Sequence, residues 1–287
     1  MPTSVTANRI AHDALRAIVP RLGEAERKEY FNFHYWRLVE TLGETVEWSG
    51  KRILDIGITP GHMAMALKHL GCQVFGITDD RLRQAMKGRW VTEEIEVRGA
   101  VVDKEPLPFP DDYFDGVLFT EVVEHLLYDP RKVVEEIYRV LRPGGELIVS
   151  TPNVTRVENR IKMPLGRNIY PRPEHFYYSD PYRRHNREYT MQELINLFKS
   201  EFYVKKARYI LMWEFATPVS SNGKVFDAYE YAEIGEPPKG RISFPRDFKQ
   251  AAKLILLLPK LVFPPLRSGL LVTFISSKPI SQERDTA

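Results

Sequence analysis

Between Arg52 and Thr151 short apolar runs alternate with segments whose apolar positions recur every three or four residues. The runs are Arg52–Ile56, Gln73–Ile77, Glu96–Val102, Asp115–Thr120 and Glu146–Thr151. Helical spacing follows the first, second and fourth of them, over His62–Leu70, Arg81–Lys87 and Pro130–Leu141. Strands this rich in Val, Ile and Leu leave no polar face for water, so the pattern predicts a mostly parallel sheet with helices on both sides. Right-handed crossovers then give a doubly wound α/β fold.

Outside that stretch the rhythm changes. Residues 1–48 carry Ile10, Leu15 and Ile18, then Phe31, Tyr35, Leu38 and Leu42, at helix-like spacing, and predict a helical cap. The core is expected over 49–213, with a loop-rich substrate segment at 154–190 and a helix at Met191–Ser200. Strand-like runs at Phe202–Met212 and Gly269–Ser276 predict an antiparallel C-terminal hairpin, the last core strand lying within 268–280 and a tail at 281–287. Residues 214–267 exceed any compact connection and read as an insertion: a lid, a dimer contact or a membrane-facing surface.

Composition narrows the setting more than the function. The chain has 287 residues and a net charge of +3, too small an excess to argue for nucleic acid by itself. Cys72 is the one cysteine, which excludes an intrachain disulfide and thiolate metal clusters and makes a reducing, cytoplasmic compartment the expectation. The first twenty residues lack a signal-peptide pattern. The apolar run Leu254–Leu266 is shorter than the ~20 residues of a spanning helix and is broken by Pro259, Lys260, Pro264 and Pro265.

The chemistry gathers where strands end. The first strand runs into Asp55-Ile56-Gly57-Ile58-Thr59-Pro60-Gly61, a glycine-bearing turn before a helix that brings backbone close to a ligand at the carboxyl edge of a sheet. The segment resembles the D-x-G-x-G-x-G motif of class I S-adenosylmethionine methyltransferases, with Thr59 in place of the middle glycine and Pro60 after it. Asp103 to Asp115 (DKEPLPFPDDYFD) is similar to that family's D-x-x-x-L-P-F-P-D-x-x-F-D, and Leu141-Arg142-Pro143-Gly144-Gly145 to its helix-to-strand turn. The resemblance implies a Rossmann-like methyltransferase core that binds S-adenosylmethionine through Asp55, Gly57, Gly61 and Thr120, with Asp103 accepting from the adenine amino group. The ribose would fall to Asp79, one residue past the family's acidic position, which is Thr78 here; the alternative for Asp79 is a helix N-cap. Arg37 of the cap would close over the methionine end, whereas Tyr30 and Tyr35 either join it there or simply pack the cap helix.

Thr120-Glu121-Val122-Val123-Glu124-His125 follows the fourth strand. On a helical turn Glu121, Glu124 and His125 would share a face and could ligate a divalent cation. His185-Asn186-Arg187-Glu188-Tyr189-Thr190 resembles the H-x-x-E-W-T stretch of small-RNA 3′-end 2′-O-methyltransferases, in which a histidine completes an E-x-x-E-H metal site. A related acidic site occurs in ubiquinone-biosynthesis O-methyltransferases. The resemblance implies Glu121, Glu124, His125 and His185 as ligands of Mg²⁺ or Mn²⁺, with His175 as a competitor for the fourth place. His125 and Glu121 are the candidate proton acceptors, and two open positions would suit a vicinal diol.

Thr155–Thr190 holds eight basic residues against four acidic ones, interleaved with tyrosines; the segment either binds a polar ring substrate or is a solvated loop. The leading expectation is an O-methyltransferase acting on a small-molecule or oligosaccharide hydroxyl, as in polysaccharide biosynthesis. The alternatives are 2′-O-methylation of an RNA 3′ end, methylation of a catechol or lipid-like phenol with peripheral membrane contact, and a methyltransferase-like scaffold without activity. A homodimer is compatible with each.

Overall fold

A computed structural model of the chain describes residues 4–212, 259–260 and 262–279. Helices α1 (Ser4–Ile18) and α2 (Asn32–Gly43) form the N-terminal cap, joined through a π-helical turn at Arg27–Phe31. The core then alternates: β1 (Arg52–Ile56), α3 (His62–His69), β2 (Gln73–Thr78), α4 (Asp80–Ala85), α5 (Lys87–Thr92), β3 (Glu96–Gly99) and β4 (Phe114–Thr120). There follow α6 (Pro130–Val140), β5 (Leu141–Pro152), α7 (Val157–Lys162), α8 (Pro173–Tyr178), α9 (Met191–Phe198), β6 (Phe202–Ile210) and β7 (Gly269–Ser276).

The seven strands lie in the order β3-β2-β1-β4-β5-β7-β6. The first five are parallel, and β7 runs antiparallel to both β5 and β6. The sheet is therefore doubly wound and mostly parallel with an antiparallel end. Central strands are apolar on both faces because both are covered. Ile53 and Leu118 pack with Leu15, Leu42 and Trp48 on the cap side, and Leu54 and Phe119 with Val134, Ile137 and Phe198 on the other.

Local signals set the element ends. Asp129 caps α6 by accepting the Arg131 amide, with Pro130 in the first turn. Thr190 and Glu193 form a reciprocal capping box on α9. Gly144, at φ +70°, bends the chain within β5, where its register against β4 shifts. Two expectations are corrected here. The third strand stops at Gly99 instead of Val102 because the chain turns back, the amides of Lys104 and Glu105 both donating to the Val101 carbonyl. The helix expected at Arg81–Lys87 divides at Met86 into α4 and α5.

Most of the expected insertion at 214–267, and the tail from 280, lie outside the described residues. Of the apolar run 254–266, Lys260 is buried and ion-paired with Glu158 of α7. No helix among the described residues is long and apolar enough to cross a membrane.

Candidate active site at the carboxyl edge of the sheet

Parallel strands deliver their C-terminal ends, and the loops after them, to one edge. Gly57 and Gly61 hold φ of +79° and +102°, in the region that a side chain disfavours. A Cβ on Gly57 would sit 2.5 Å from Val122 Cγ2, so this glycine also lets the β1 loop lie against the loop after β4. Between them opens a cleft of about 520 Å³ including its mouth, lined by Tyr30, Arg37, Asp55, the Gly57–His62 loop, Thr120 and Glu121. Asp55 is buried, and burial pushes its carboxyl up to about 7 against the opposing pull of Arg37.

The cap is fastened to this loop through charge. Glu26 accepts from His62 Nε2 at 2.7 Å and from Arg89 Nη2 at 2.6 Å, while Arg89 Nη1 also donates to the Pro60 carbonyl at 2.7 Å. One carboxylate thus joins the cap, the glycine loop, α3 and α5. Neither Glu26 nor Arg89 lies in a recognisable motif, because the contact is made by tertiary packing.

The residues after β4 do not form the helical turn the spacing predicts. Glu121 takes a left-handed backbone, φ +56°, and a 3₁₀ turn starts only at Val123. The i, i+3, i+4 alignment is lost, and with it Glu121's place beside Glu124 and His125. Its carboxylate turns to the cleft, accepting from Ser150 Oγ at 2.8 Å and lying 3.6 Å from Arg37 Nη1.

Glu124, His125 and His185 do converge, each offering a donor atom within 4.8 Å of the others. Glu124 is fully buried; one oxygen accepts from Thr151 Oγ1 at 2.9 Å, and the other, Oε1, has no hydrogen-bond partner and lies 3.8 Å from His125 Nε2. His125 Nδ1 meets the Arg184 carbonyl at 2.9 Å, which makes Nδ1 the donor and leaves Nε2 as a lone pair. Burial holds its imidazole below the ordinary value, partly offset by Glu124. The His185 ring stands edge-on to His125, centroids 5.0 Å apart. His185 arrives on a loop pinned by the Asn186 and Arg187 amides, both donating to the Glu124 carbonyl. A lone buried carboxylate oxygen facing two imidazoles is an arrangement that a divalent cation fits.

The other expected positions divide. Asp79 accepts the Leu82 amide and caps α4, the alternative reading of that residue. Thr78 shares a hydroxyl contact with Thr59. Asp103 is buried, and its oxygens accept from the Leu127 and Tyr128 amides and from the Tyr182 hydroxyl at 3.1 Å. Tyr35 is drawn into the cap, its hydroxyl 2.8 Å from His12 Nδ1, and does not reach the cleft. His175 lies on α8, its side chain outside the described set. Several arginines of the 154–190 loop are engaged within the protein: Arg156 with Glu188, Arg184 over the Phe176 ring, and Arg187 with Glu193.

A doubly wound sheet with an antiparallel final strand gives the chain a Rossmann-like fold, with a glycine-bent loop after β1 and acidic side chains around the cleft. Residues 54–149 match the family described as a methyltransferase domain. A protein of Mycolicibacterium smegmatis named "probable S-adenosylmethionine-dependent methyltransferase" is 32% identical over 173 residues, which are 57% of this chain and 61% of that one. A ubiquinone biosynthesis O-methyltransferase of Pseudomonas entomophila is 30% identical over 118 residues, 40% of this chain and 50% of the relative. The chain thus spans only about half to three-fifths of these relatives' length. Among solved structures, a SAM-dependent methyltransferase from Archaeoglobus fulgidus superposes with a TM-score of 0.51 at 17% identity, covering 88% of this chain and 97% of that chain, and shares the fold.

Proposed function

We propose that the chain is an S-adenosylmethionine-dependent O-methyltransferase, assisted by a divalent cation at Glu124, His125 and His185, that acts on a hydroxyl of a sugar, glycan or other vicinal diol. The observation that carries this reading is adjacency. The loops after the neighbouring strands β1 and β4 touch at Gly57 and Val122; Glu121 lines the cleft, and three residues on, Glu124 offers an unpartnered oxygen beside two imidazoles. When bound, S-adenosylmethionine supplies an electrophilic methyl group and the cation acidifies a hydroxyl held beside it.

The chain's own residues orient and deprotonate. Buried Arg37 and Asp55 present opposite charges to the zwitterionic end of an amino-acid cofactor. Thr120 lines the cleft beside them, Asp79 would offer a ribose hydroxyl the carboxylate oxygen not used in its helix cap, and Asp103 would accept from adenine at Oδ1 in place of the Tyr182 hydroxyl. Of the two candidate proton acceptors, His125 has Nδ1 committed to a carbonyl and Nε2 turned to the cluster. Glu121 sits outside the cluster on the cleft wall and is the better placed base. Two imidazoles with one carboxylate favour Mn²⁺ over Mg²⁺.

Methyl transfer from labelled S-adenosylmethionine to diol-bearing glycosides, with and without chelator, tests the assignment. Turnover that stops with chelator and returns with Mn²⁺ supports it, full turnover in chelator removes the cation, and absent S-adenosylhomocysteine binding by calorimetry removes the cofactor. A catechol acceptor is the second reading, favoured by the similarity to a ubiquinone biosynthesis O-methyltransferase and by exposed Ile161, Met163 and Leu165 near the loop. The same assay with catechol acceptors separates the two.

A further inference from the structure

Behind His185 stands a second ionic layer. His185 Nδ1 lies 3.2 Å from Glu188 Oε1. Glu188 is in turn held by Arg156, whose Nη2 donates to Oε1 at 3.1 Å and whose Nη1 donates to Oε2. Both side chains are only 11% exposed, so neither is a solvated surface charge. The pair is anchored from two elements: Arg156 Nη1 also reaches the Asn153 carbonyl at the end of β5, and Glu188 is followed by Tyr189, whose carbonyl accepts the Val154 amide. The His125 ring has an equivalent brace in the Arg184 carbonyl. Each imidazole of the cluster therefore has its Nδ1 occupied by an acceptor of the protein, and Nε2 is the nitrogen left over.

We propose that Glu188, fixed by Arg156, is a positioning residue that holds His185 as the Nδ1–H tautomer and so commits its Nε2 to a divalent cation. The proposal rests on the cation reading given above. An imidazole can present a lone pair from either nitrogen, and the proton goes where its acceptor is. With Glu188 in place the proton sits on Nδ1 and the lone pair on Nε2. Without it the ring is free to rotate and to exchange tautomers, and the third donor is supplied only part of the time. Carboxylates behind ligating histidines commonly change cation affinity by about 10–100-fold. Arg156 acts one step further out, because it keeps Glu188 from turning into the cluster as a competing ligand.

The experiment uses the full chain and two readouts. Mn²⁺ is titrated by calorimetry into the parent protein, Glu188→Gln, Glu188→Ala and His185→Ala, and S-adenosylhomocysteine is titrated into the same preparations. The His185 tautomer is read from ¹⁵N–¹H imidazole correlations without metal at mildly alkaline pH. Expected are an Nδ1–H signal in the parent that is lost in Glu188→Ala and Mn²⁺ binding weakened about 10–100-fold in that variant. Glu188→Gln should fall between, since its amide oxygen still accepts, and S-adenosylhomocysteine affinity should be unchanged in all, which shows the fold intact. Parent-like Mn²⁺ affinity in Glu188→Ala, or an Nε2–H tautomer in the parent, overturns the positioning role alone. A parent that binds no Mn²⁺ overturns the cation reading and this proposal with it.

Discussion

Single residues at the site separate by what already holds them. Glu121 and Glu124 are three positions apart and chemically alike, yet one faces Arg37 and Ser150 while the other lies buried with a bare oxygen beside two imidazoles. Glu121→Gln should therefore lower turnover by about 10²–10⁴-fold, the usual loss of a general base, while leaving Mn²⁺ affinity as it was. Glu124→Gln should weaken the cation. Titration and steady-state kinetics on both variants check the division, and a Glu121 variant that loses Mn²⁺ would return that residue to the ligand set. Asp55 gives a pH signature. Its carboxyl is raised to about 7, so the fold favours the neutral form; the stability this contributes is complete below the ordinary value of ~4 and is lost as pH climbs through about 7. A ligand ammonium seated against it favours the ionised form, so S-adenosylhomocysteine affinity should increase as pH is raised through about 7, and Asp55→Asn should flatten that rise in calorimetry. The sequence names both residues, but not their division of labour. That depended on one backbone angle, the positive φ of Glu121, which no spacing rule anticipates.

At the scale of elements, the sheet was legible almost throughout. Arg52–Ile56 and Gly269–Ser276 form over the bounds that alternation predicts, because buried parallel and central strands need unbroken apolar runs. Legibility fell where tertiary contact decides: the early stop of β3, the break at Met86 and the 3₁₀ turn at Val123. The glycine loop is the element where local and tertiary demands coincide. Gly57→Ala meets both a positive φ and the methyl of Val122, and it should cost about 1–3 kcal/mol in denaturant unfolding together with the cofactor site. The clamp at Glu26 makes a different prediction. Glu26→Gln removes the charge shared by His62 and Arg89 and releases the cap from the loop, so S-adenosylhomocysteine binding should weaken while Mn²⁺ binding holds. Loss of both affinities together would mean that the clamp supports the fold and not the cleft.

For the whole molecule, charge is the discriminating property. The net charge is +3, and several arginines of the 154–190 loop are spent on internal partners, so little cationic surface is left to follow a phosphate backbone. Acceptor KM should then stay nearly flat between about 50 and 200 mM salt, whereas an RNA acceptor making several phosphate contacts would lose about 10³-fold or more over that range. A steep slope would favour the RNA reading over the diol glycoside. The arginine-rich loop left two readings open in the sequence, because composition reports charges and not their partners.

The placement of β7 carries a consequence for how this protein comes into being. It is the last strand described, yet it is wedged between β5 and β6 and bonded to both. Until Ser276 has left the ribosome, β5 has an open seam and β6 lacks the one strand it pairs with among the described residues. The sheet can only be completed after synthesis has passed that point, and a nascent chain must keep its unpaired edge from other chains while it waits.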